Sequence, residues 1–208
     1  VVSDHTVPDD SRRLLSALPG VGKIEYVGEY PVAEVTYRDA SLPFPVTLTA
    51  WSPFAPLDET TSGYPAIVCT LLAENTSEMK QHVAFAATLQ NAGGCDGIGR
   101  IRGINYADFG GNVNRVERFD GMTAIEMTSN RLARDDARWG QMSLTALHDD
   151  TTYAGSWGSL DTFWSDFSSN GELSNTDDSA PSDAGSTVCG ALARGRWSGM
   201  TTISSATL

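Results

Sequence analysis

Polar and apolar residues alternate along most of this chain in short segments. Val46, Leu48 and Ala50 alternate with Thr47 and Thr49, the period-two pattern of a half-buried strand. By pattern and apolar content, strands are predicted over residues 24–27, 32–37, 42–51, 64–73, 83–89, 112–116, 122–127, 141–147, 152–157 and 188–193, with one more beginning in 200–203. Closely spaced turn signals favour antiparallel meanders and Greek keys over βαβ units. We therefore predict an all-β fold with one or two short helices: a large, supersandwich-like antiparallel β-sandwich.

Two segments instead follow the helical period. Residues 11–18 predict a short helix, for which Asp9 or Asp10 is the candidate cap. A second helix is predicted between the candidate cap Ser159 and Gly171. Its apolar face has the spacing i, i+3, i+4 and i+7 and consists of Leu160, Phe163, Trp164 and Phe167. We interpret this aromatic stripe as packing against a sheet.

Proline, glycine and small polar residues predict the connections. Pro53 and Pro56 end a strand at the corner 52–57, because proline has no backbone donor. Turns are predicted at residues 28–31, 38–41, 74–77, 130–140 and 194–198, and a solvated loop at 170–185. The sequon Asn75-Thr76-Ser77 is interpreted as a turn. The glycine-rich segment 93–103 lacks the Gly-Lys-Ser/Thr sequence of a phosphate-binding loop, so we interpret it as a long surface loop.

Nothing in the composition divides the chain. We expect a single domain over residues 1–208, with 1–22 as a leader segment. No apolar run approaches the roughly 20 residues of a membrane-spanning helix, and no signal peptide is visible. The chain has an odd number of cysteines, Cys69, Cys95 and Cys189, and no CxxC motif. This pattern indicates reduced thiols rather than a zinc site. These features predict a cytoplasmic location.

The net charge of −12 narrows the classes of partner. Nucleic acids and anionic membranes require a basic surface, so neither is expected as a partner. Lys23 and Lys80 are the only lysines, and the other twelve basic residues are arginines. Adaptation to high salt, which would make the chain halophilic, and a GC-rich genome that encodes arginine in place of lysine both remain open explanations.

Acidic residues are the obvious candidates for hydrolytic chemistry. Those beside aromatic residues are Asp108, Asp120, Asp161 and Asp166, and adjacent pairs occur at Asp135-Asp136 and Asp149-Asp150. A glycosidase needs two carboxyl groups at a defined separation, whereas neighbours in a strand point to opposite faces. We interpret these residues as surface charge and assign no catalytic, cofactor-binding or metal-binding residue, and no cofactor.

Two further chemistries have incomplete motifs. Calcium binding at Asp177, Asp178 and Asp183 lacks the spacing of an EF-hand loop. A Ser-His-Asp triad through His148 lacks the GxSxG elbow.

Several motifs occur in the order found in one family. They are Gly28-Glu29-Tyr30-Pro31 followed by Val35-Thr36-Tyr37-Arg38-Asp39, the corner Ser52-Pro53-Phe54-Ala55-Pro56-Leu57, Ser62 with Pro65, Phe163-Trp164-Ser165-Asp166-Phe167 with Gly171, and Gly190-Ala191-Leu192. From Gly28 to Leu192 the chain resembles the N-terminal domain of glycoside hydrolase family 116, the β-glucosidase and bile-acid-type glucosylceramidase family.

The resemblance implies a β-sandwich that supports a C-terminal (α/α)6 catalytic barrel of the same polypeptide. In the family that barrel carries the nucleophile and the acid/base carboxylates, and we expect it to lie outside these 208 residues. The chain alone is then not catalytic, although segment 93–103 is a candidate for lending a loop to the active-site rim.

The alternative is a free-standing carbohydrate-binding or adhesion module. In that reading a carbohydrate is the partner, and exposed tryptophans stack on its sugar rings. The candidates are Trp51, Trp157, Trp164 and Trp197.

Overall fold

The computed structural model describes residues 9–95, 109–198 and 203–207 of the chain. Within these ranges it contains eleven strands and three short helices. In chain order they are α1 (Asp9–Ala17), β1 (Lys23–Glu29), β2 (Val32–Arg38), β3 (Val46–Trp51), α2 (Glu59–Ser62), β4 (Val68–Glu74), β5 (Gln81–Gln90), β6 (Asn112–Phe119), β7 (Met122–Ser129), β8 (Met142–Ala146), β9 (Thr152–Trp157), α3 (Leu160–Asn170), β10 (Cys189–Ser198) and β11 (Ile203–Thr207). The predicted all-β fold class is confirmed.

The chain divides into two compact units. The first comprises Val1–Pro19 and Ala86–Arg194, and the second comprises Gly20–Phe85 and Gly195–Leu208. Strands β5 and β10 each contribute residues to both units. The expectation of one domain over residues 1–208 stays a prediction.

The second unit contains an antiparallel sheet with the strand order β1-β2-β3-β4-β11. Val35 lies opposite Tyr26 on β1 and Leu48 on β3, and Leu48 in turn lies opposite Leu71 on β4. Residues in register share one face of a sheet, so these side chains form an apolar band across four strands. The intervening positions carry threonines such as Thr36 and Thr47, which confirms the alternation seen in the sequence.

A single helical turn that the sequence pattern did not predict follows the proline corner 52–57. The Asp58 side chain caps α2 by accepting from the backbone N of Thr61 at 3.0 Å. The Ser62 hydroxyl donates to Ala55 O at 3.0 Å and accepts from Ala55 N at 3.1 Å. A short polar side chain thus satisfies both backbone groups of Ala55 where the prolines interrupt the ladder.

The first unit contains two three-stranded sheets, β5-β10-β9 and β6-β7-β8. Ile125 and Met127 lie on the buried face of β7, whose residues alternate strictly between buried and half-buried. A Cβ atom on Gly190 of β10 would lie 2.9 Å from Met127 Cε and 3.0 Å from Ile125 Cδ1. The two sheets therefore pack face to face, as the predicted β-sandwich requires.

Helix α3 covers the other face of the β5-β10-β9 sheet and confirms the predicted helix. Ser159 caps its start, and Gly171 ends it in the left-handed conformation at φ 81°. Phe163 is buried in one cluster with Leu173, Ala154 of β9 and the β10 residues Ala191 and Ala193. Alanines on these strands let an aromatic helix face approach the sheet closely.

Two loop predictions need correction. The turn predicted at 194–198 is wrong, because β10 continues through Ser198. The charge of Arg194 suggested a turn, but its side chain is only 9% exposed and donates to Asp150 at 2.7 Å. The segment 170–185 is not wholly solvated, since Leu173 is 4% exposed and belongs to the core.

The turn predicted at 74–77 is confirmed. Asn75 is buried there, and its Oδ1 accepts from Ser77 N at 3.0 Å.

Candidate functional site

Within the part of the chain that the structure describes, each unit has a concave surface that brings aromatic and polar side chains together. We call the first the hairpin groove. It lies in the second unit where the β1–β2 hairpin meets the end of β3, and its volume is about 410 Å³. We call the other the α3 cavity. It lies in the first unit beside α3 and the segment 173–176, and its volume is about 900 Å³.

Small residues in register shape the hairpin groove. Gly28 of β1 lies opposite Ala33 of β2, which lies opposite Ala50 of β3. All three line the groove. Because residues in register share a sheet face, three adjacent positions without bulky side chains leave a depression there. The two-residue turn Tyr30-Pro31, whose peptide bond is cis, borders it.

Aromatic side chains line the same groove and are largely exposed. Tyr30 is 80% exposed, Tyr26 69% and Trp51 41%. The Tyr30 and Phe54 rings form a T-shaped contact with the centroids 5.1 Å apart and the planes at 69°. The Tyr26 ring lies over Gly28, since a Cβ on that glycine would lie 2.8 Å from Tyr26 Cζ. Glycine at position 28 is therefore needed for this position of the ring.

Polar groups in the groove are few. Glu29 is the only charged residue among the described residues that line it, and Ser52 adds a hydroxyl. On the same strand Glu25 is already engaged, receiving Arg38 Nε at 2.9 Å and Lys23 Nζ at 3.0 Å. The hydrogen bond from Arg38, reinforced by Lys23, holds the pKa of Glu25 below its ordinary value. The cations of this hairpin thus pair with Glu25, which leaves the Glu29 carboxylate available to a ligand.

The α3 cavity gathers two acids that the sequence singled out. Asp161, exposed, and Asp166, half-buried, both line it, together with Trp157 and Phe163. The Asp166 carboxylate accepts from Ser174 through both the backbone N, at 3.0 Å, and the hydroxyl. Asp166 therefore fastens the segment after α3 to the helix. Five serines line the cavity beside these two acids, so its wall is polar as well as aromatic.

The adjacent acidic pairs serve separate local contacts. Asp136 receives Arg138 Nε at 3.0 Å and Nη2 at 2.8 Å, and this hydrogen bonding lowers the pKa of Asp136 to about 2. Asp149 accepts from the backbone N of Gly121 at 2.6 Å, while its neighbour Asp150 pairs with Arg194. No contact brings the two members of either pair to one reacting centre.

The other candidate acids do not form a site in the described residues. Asp120 is exposed in the turn between β6 and β7, and Asp108 lies outside the described residues. Asp177, Asp178 and Asp183 are all exposed. No group of three or more His, Cys, Asp or Glu side chains within 9–95, 109–198 and 203–207 is placed to hold a metal ion.

The histidine and the thiols give no sign of a nucleophile. His148 Nε2 lies 3.4 Å from Arg194 Nη1, an arginine that also pairs with Asp150. All three cysteines are present as thiols. Burial raises the pKa of Cys69, and it raises the pKa of Cys189 to about 11, so both stay protonated and unreactive at neutral pH.

The tryptophans proposed for sugar stacking differ in access. Trp51 is exposed in the hairpin groove. Trp157 stacks on Phe163 with the centroids 5.0 Å apart, and its Nε1 is buried without a hydrogen-bond partner. Trp164 is half-buried, 6.2 Å from the Phe167 ring. The side chain of Trp197 lies outside the described residues, as does most of segment 93–103. Trp51 is the best placed of the described tryptophans to stack on a ligand.

A buried amide network was missed at the sequence level. Asn91, Asn112 and Asn114 are each at most 1% exposed. Asn91 Nδ2 donates to Asn114 Oδ1 at 2.9 Å, and Asn112 Nδ2 donates to Asn91 Oδ1 at 3.0 Å. The sequence did contain a signal, because Asn112 and Asn114 flank Val113 two residues apart and so share one strand face. This network joins the end of β5 to β6.

Comparison with known proteins gives a match to a family model. A family model described as beta-glucosidase 2, glycosyl-hydrolase family 116 N-term, matches residues 4–197. The match extends over nearly the whole chain and includes residues of both units. No curated protein matches the chain. Among the helices of the described residues, none is both long and apolar enough to cross a membrane.

Proposed function

The chain belongs to the N-terminal domain family of glycoside hydrolase family 116, and from this premise we propose that it is a non-catalytic domain supporting a C-terminal (α/α)6 catalytic barrel of the same polypeptide. The parent enzyme is then of the β-glucosidase or glucosylceramidase type. The observation that carries the proposal is the family match over residues 4–197. Because a family's fold can host several functions, the supporting role requires its own test.

Four of the described carboxylates are unsuited to the general-acid role of a glycosidase. Hydrogen bonds lower the pKa of Glu25, Asp39, Asp58 and Asp136, chiefly from Arg38, Ser41, Thr61 and Arg138 respectively. A carboxyl group with a lowered pKa is ionised at neutral pH and has no proton to donate to a leaving group. These four acids are therefore unsuited to general-acid catalysis.

The test compares the chain, the barrel and the two together. The 208-residue chain alone is expected to release no p-nitrophenol from p-nitrophenyl β-glucoside, whereas the longer polypeptide releases it. The barrel expressed alone is expected to unfold at a lower temperature than the full protein. Glucoside cleavage by the chain alone would contradict the non-catalytic role, and a barrel equally stable and active alone would contradict the supporting role.

A second candidate function is carbohydrate recognition by a free-standing binding or adhesion module. The exposed rings of Tyr26, Tyr30 and Trp51 in the hairpin groove favour it. The reading frame after Leu208 separates the two candidates: a long following region with helical periodicity supports the first, and a stop codon supports the second. The cytoplasmic location remains a prediction that cell fractionation can test.

A further inference from the structure

We propose that the hairpin groove binds a neutral pyranose ring, such as the terminal sugar of an oligosaccharide or glycoside. The proposal rests on the second candidate function, carbohydrate recognition, and adds the site, the ligand class and the residues. It does not depend on the supporting role. The groove's volume of about 410 Å³ lies within the range of small-molecule sites, roughly 300–1,000 Å³.

The shape of the groove suits a flat saturated ring. Gly28, Ala33 and Ala50 are in register on three adjacent strands, and the Tyr26 ring lies over Gly28, so an aromatic face and the methyl groups of the two alanines form a shallow depression. A pyranose ring has one or both faces covered by C–H groups, which pack against such a surface. Because these three positions lie on paired strands, the depression exists before any ligand arrives, and little ordering cost is added on binding.

The exposed aromatic rings supply the stacking surface. Tyr26 and Tyr30 line the groove and keep large accessible fractions, whereas Trp51 borders it from the position next to Ala50, where side chains of β3 start from the opposite sheet face. Aromatic side chains combine an apolar face with a polar edge, which matches the C–H face and the hydroxyl rim of a sugar. The T-shaped contact with Phe54 favours this orientation of the Tyr30 ring.

The polar groups and the charge select the ligand class. Glu29 and Ser52 border the groove and can accept hydrogen bonds from sugar hydroxyls. A carboxylate at the groove, together with the net charge of −12, disfavours anionic ligands such as uronates or phosphosugars. A quaternary ammonium is the competing chemistry, since it also uses aromatic rings and a carboxylate. At 80% and 69% exposure, Tyr30 and Tyr26 do not enclose a cation as an aromatic cage does, and the neutral sugar is favoured.

The experiment titrates the 208-residue chain with cellotetraose by isothermal calorimetry. Maltotetraose, glucuronate and choline chloride serve as comparison ligands. The groove variants are Trp51→Ala and Tyr30→Ala, each of which removes one ring, and Gly28→Ala. The last variant removes no ring but displaces that of Tyr26, because the added Cβ would overlap it. The control is Phe119→Ala, which removes a 55% exposed ring from the other unit.

We expect cellotetraose to bind the unmodified chain and the Phe119→Ala variant equally. Each groove variant is expected to weaken binding about threefold to tenfold, the loss typical of one aromatic contact. Thermal melts verify that each variant remains folded, and exposed positions make this the expected result.

The other outcomes separate the two levels of the proposal. Cellotetraose binding that the groove variants leave unchanged would overturn the groove assignment while preserving carbohydrate recognition. Binding of choline or glucuronate in place of the oligosaccharides, lost in the groove variants, would overturn the ligand class. Absence of binding to every oligosaccharide would overturn both carbohydrate recognition and the groove assignment, and would leave the supporting role untouched.

Discussion

Removing Asn91 from the buried amide network is expected to destabilise the first unit strongly. Asn91 is fully buried, and its Oδ1 accepts from Gly93 N at 2.8 Å and Asn112 Nδ2 at 3.0 Å. Its Nδ2 donates to Asn114 Oδ1 at 2.9 Å, Thr128 O at 3.0 Å and Val113 O at 3.2 Å. An Asn91→Ala variant removes all five contacts and leaves an apolar methyl group in their place.

The expected magnitude follows from the groups left without partners. Gly93 N and Asn114 Oδ1 each have Asn91 as the hydrogen-bond partner that the structure shows. A buried polar group left unsatisfied costs about 1–3 kcal/mol, so two such groups predict a loss of about 2–6 kcal/mol. For a chain of this size the melting temperature is then expected to fall by roughly 5–20 °C.

The assay is urea unfolding followed by circular dichroism, with amide hydrogen exchange over β6 and β7 to locate the loss in the first unit. The matched control is Asn130→Ala, an exposed asparagine expected to change stability by less than about 0.5 kcal/mol. A loss below about 1 kcal/mol for Asn91→Ala, or an equal loss for the control, would refute the argument that unsatisfied buried amides dominate.

The isosteric variant Asn91→Asp sharpens the test. It keeps an accepting oxygen at the position of Asn91 Oδ1 but replaces the donating Nδ2 with the second oxygen of a carboxylate, and this position is fully buried. Burial raises the pKa of such a group, so the destabilisation is expected to grow as pH rises from about 4 to 7. A destabilisation that is independent of pH would contradict the burial of this position.

Four further predictions concern the backbone, titration and salt. Gly110→Ala is expected to lower the free energy of unfolding by more than about 2 kcal/mol, because φ at this glycine is 115° and an added Cβ would lie 3.0 Å from Ala184 Cα. The control Gly121→Ala, with φ 74° and no atom within 4 Å of the added Cβ, is expected to lower it by only about 1 kcal/mol through backbone strain. Equal unfolding midpoints for the two variants would contradict the close approach at Gly110. The pKa of the Asp136 carboxyl is expected to be about 2 by NMR and to rise in Arg138→Gln; the stability that the pairing contributes is present above the ordinary carboxyl pKa of 3.8 and is lost as pH falls toward about 2. Cys189, whose pKa is raised to about 11, is expected to resist iodoacetamide in the native chain at pH 8 and to react after unfolding in urea, and rapid native labelling would count against its burial. If the −12 charge reflects adaptation to salt, the melting temperature is expected to rise steeply from low to multimolar KCl, and a flat dependence favours the GC-rich genome instead.

Local signals were enough to predict most elements. The period of two identified β3 and β7, and the aromatic stripe with Ser159 and Gly171 identified α3 to within a residue at its start. These signals act over a few residues, because side-chain direction repeats every two residues in a strand and every 3.6 in a helix. The shared order of weak motifs also indicated the family, which the match over residues 4–197 confirmed.

Burial of polar and charged groups depended on partners far along the chain. The sequence predicted a turn beginning at Arg194. In the structure Arg194 lies in β10, and its side chain pairs with Asp150, which is far away in the sequence. The asparagines of the amide network looked like ordinary polar positions, because their donors and acceptors come from three separate segments. A polar residue carries no local mark of burial when a distant group satisfies it.

The sequence by itself determined the all-β class, the helix α3, the family and the absence of a recognisable catalytic motif. Only the tertiary structure decided which aromatic residues remain exposed, and it placed Trp51 at one groove with Tyr26 and Tyr30, two tyrosines that the sequence had not predicted as stacking residues. The reason is physical: periodicity reports the face on which a side chain begins, whereas exposure depends on what the rest of the chain places above that face. The hairpin groove exists because Gly28, Ala33 and Ala50 meet through strand register, and register is a property of paired strands rather than of any one segment.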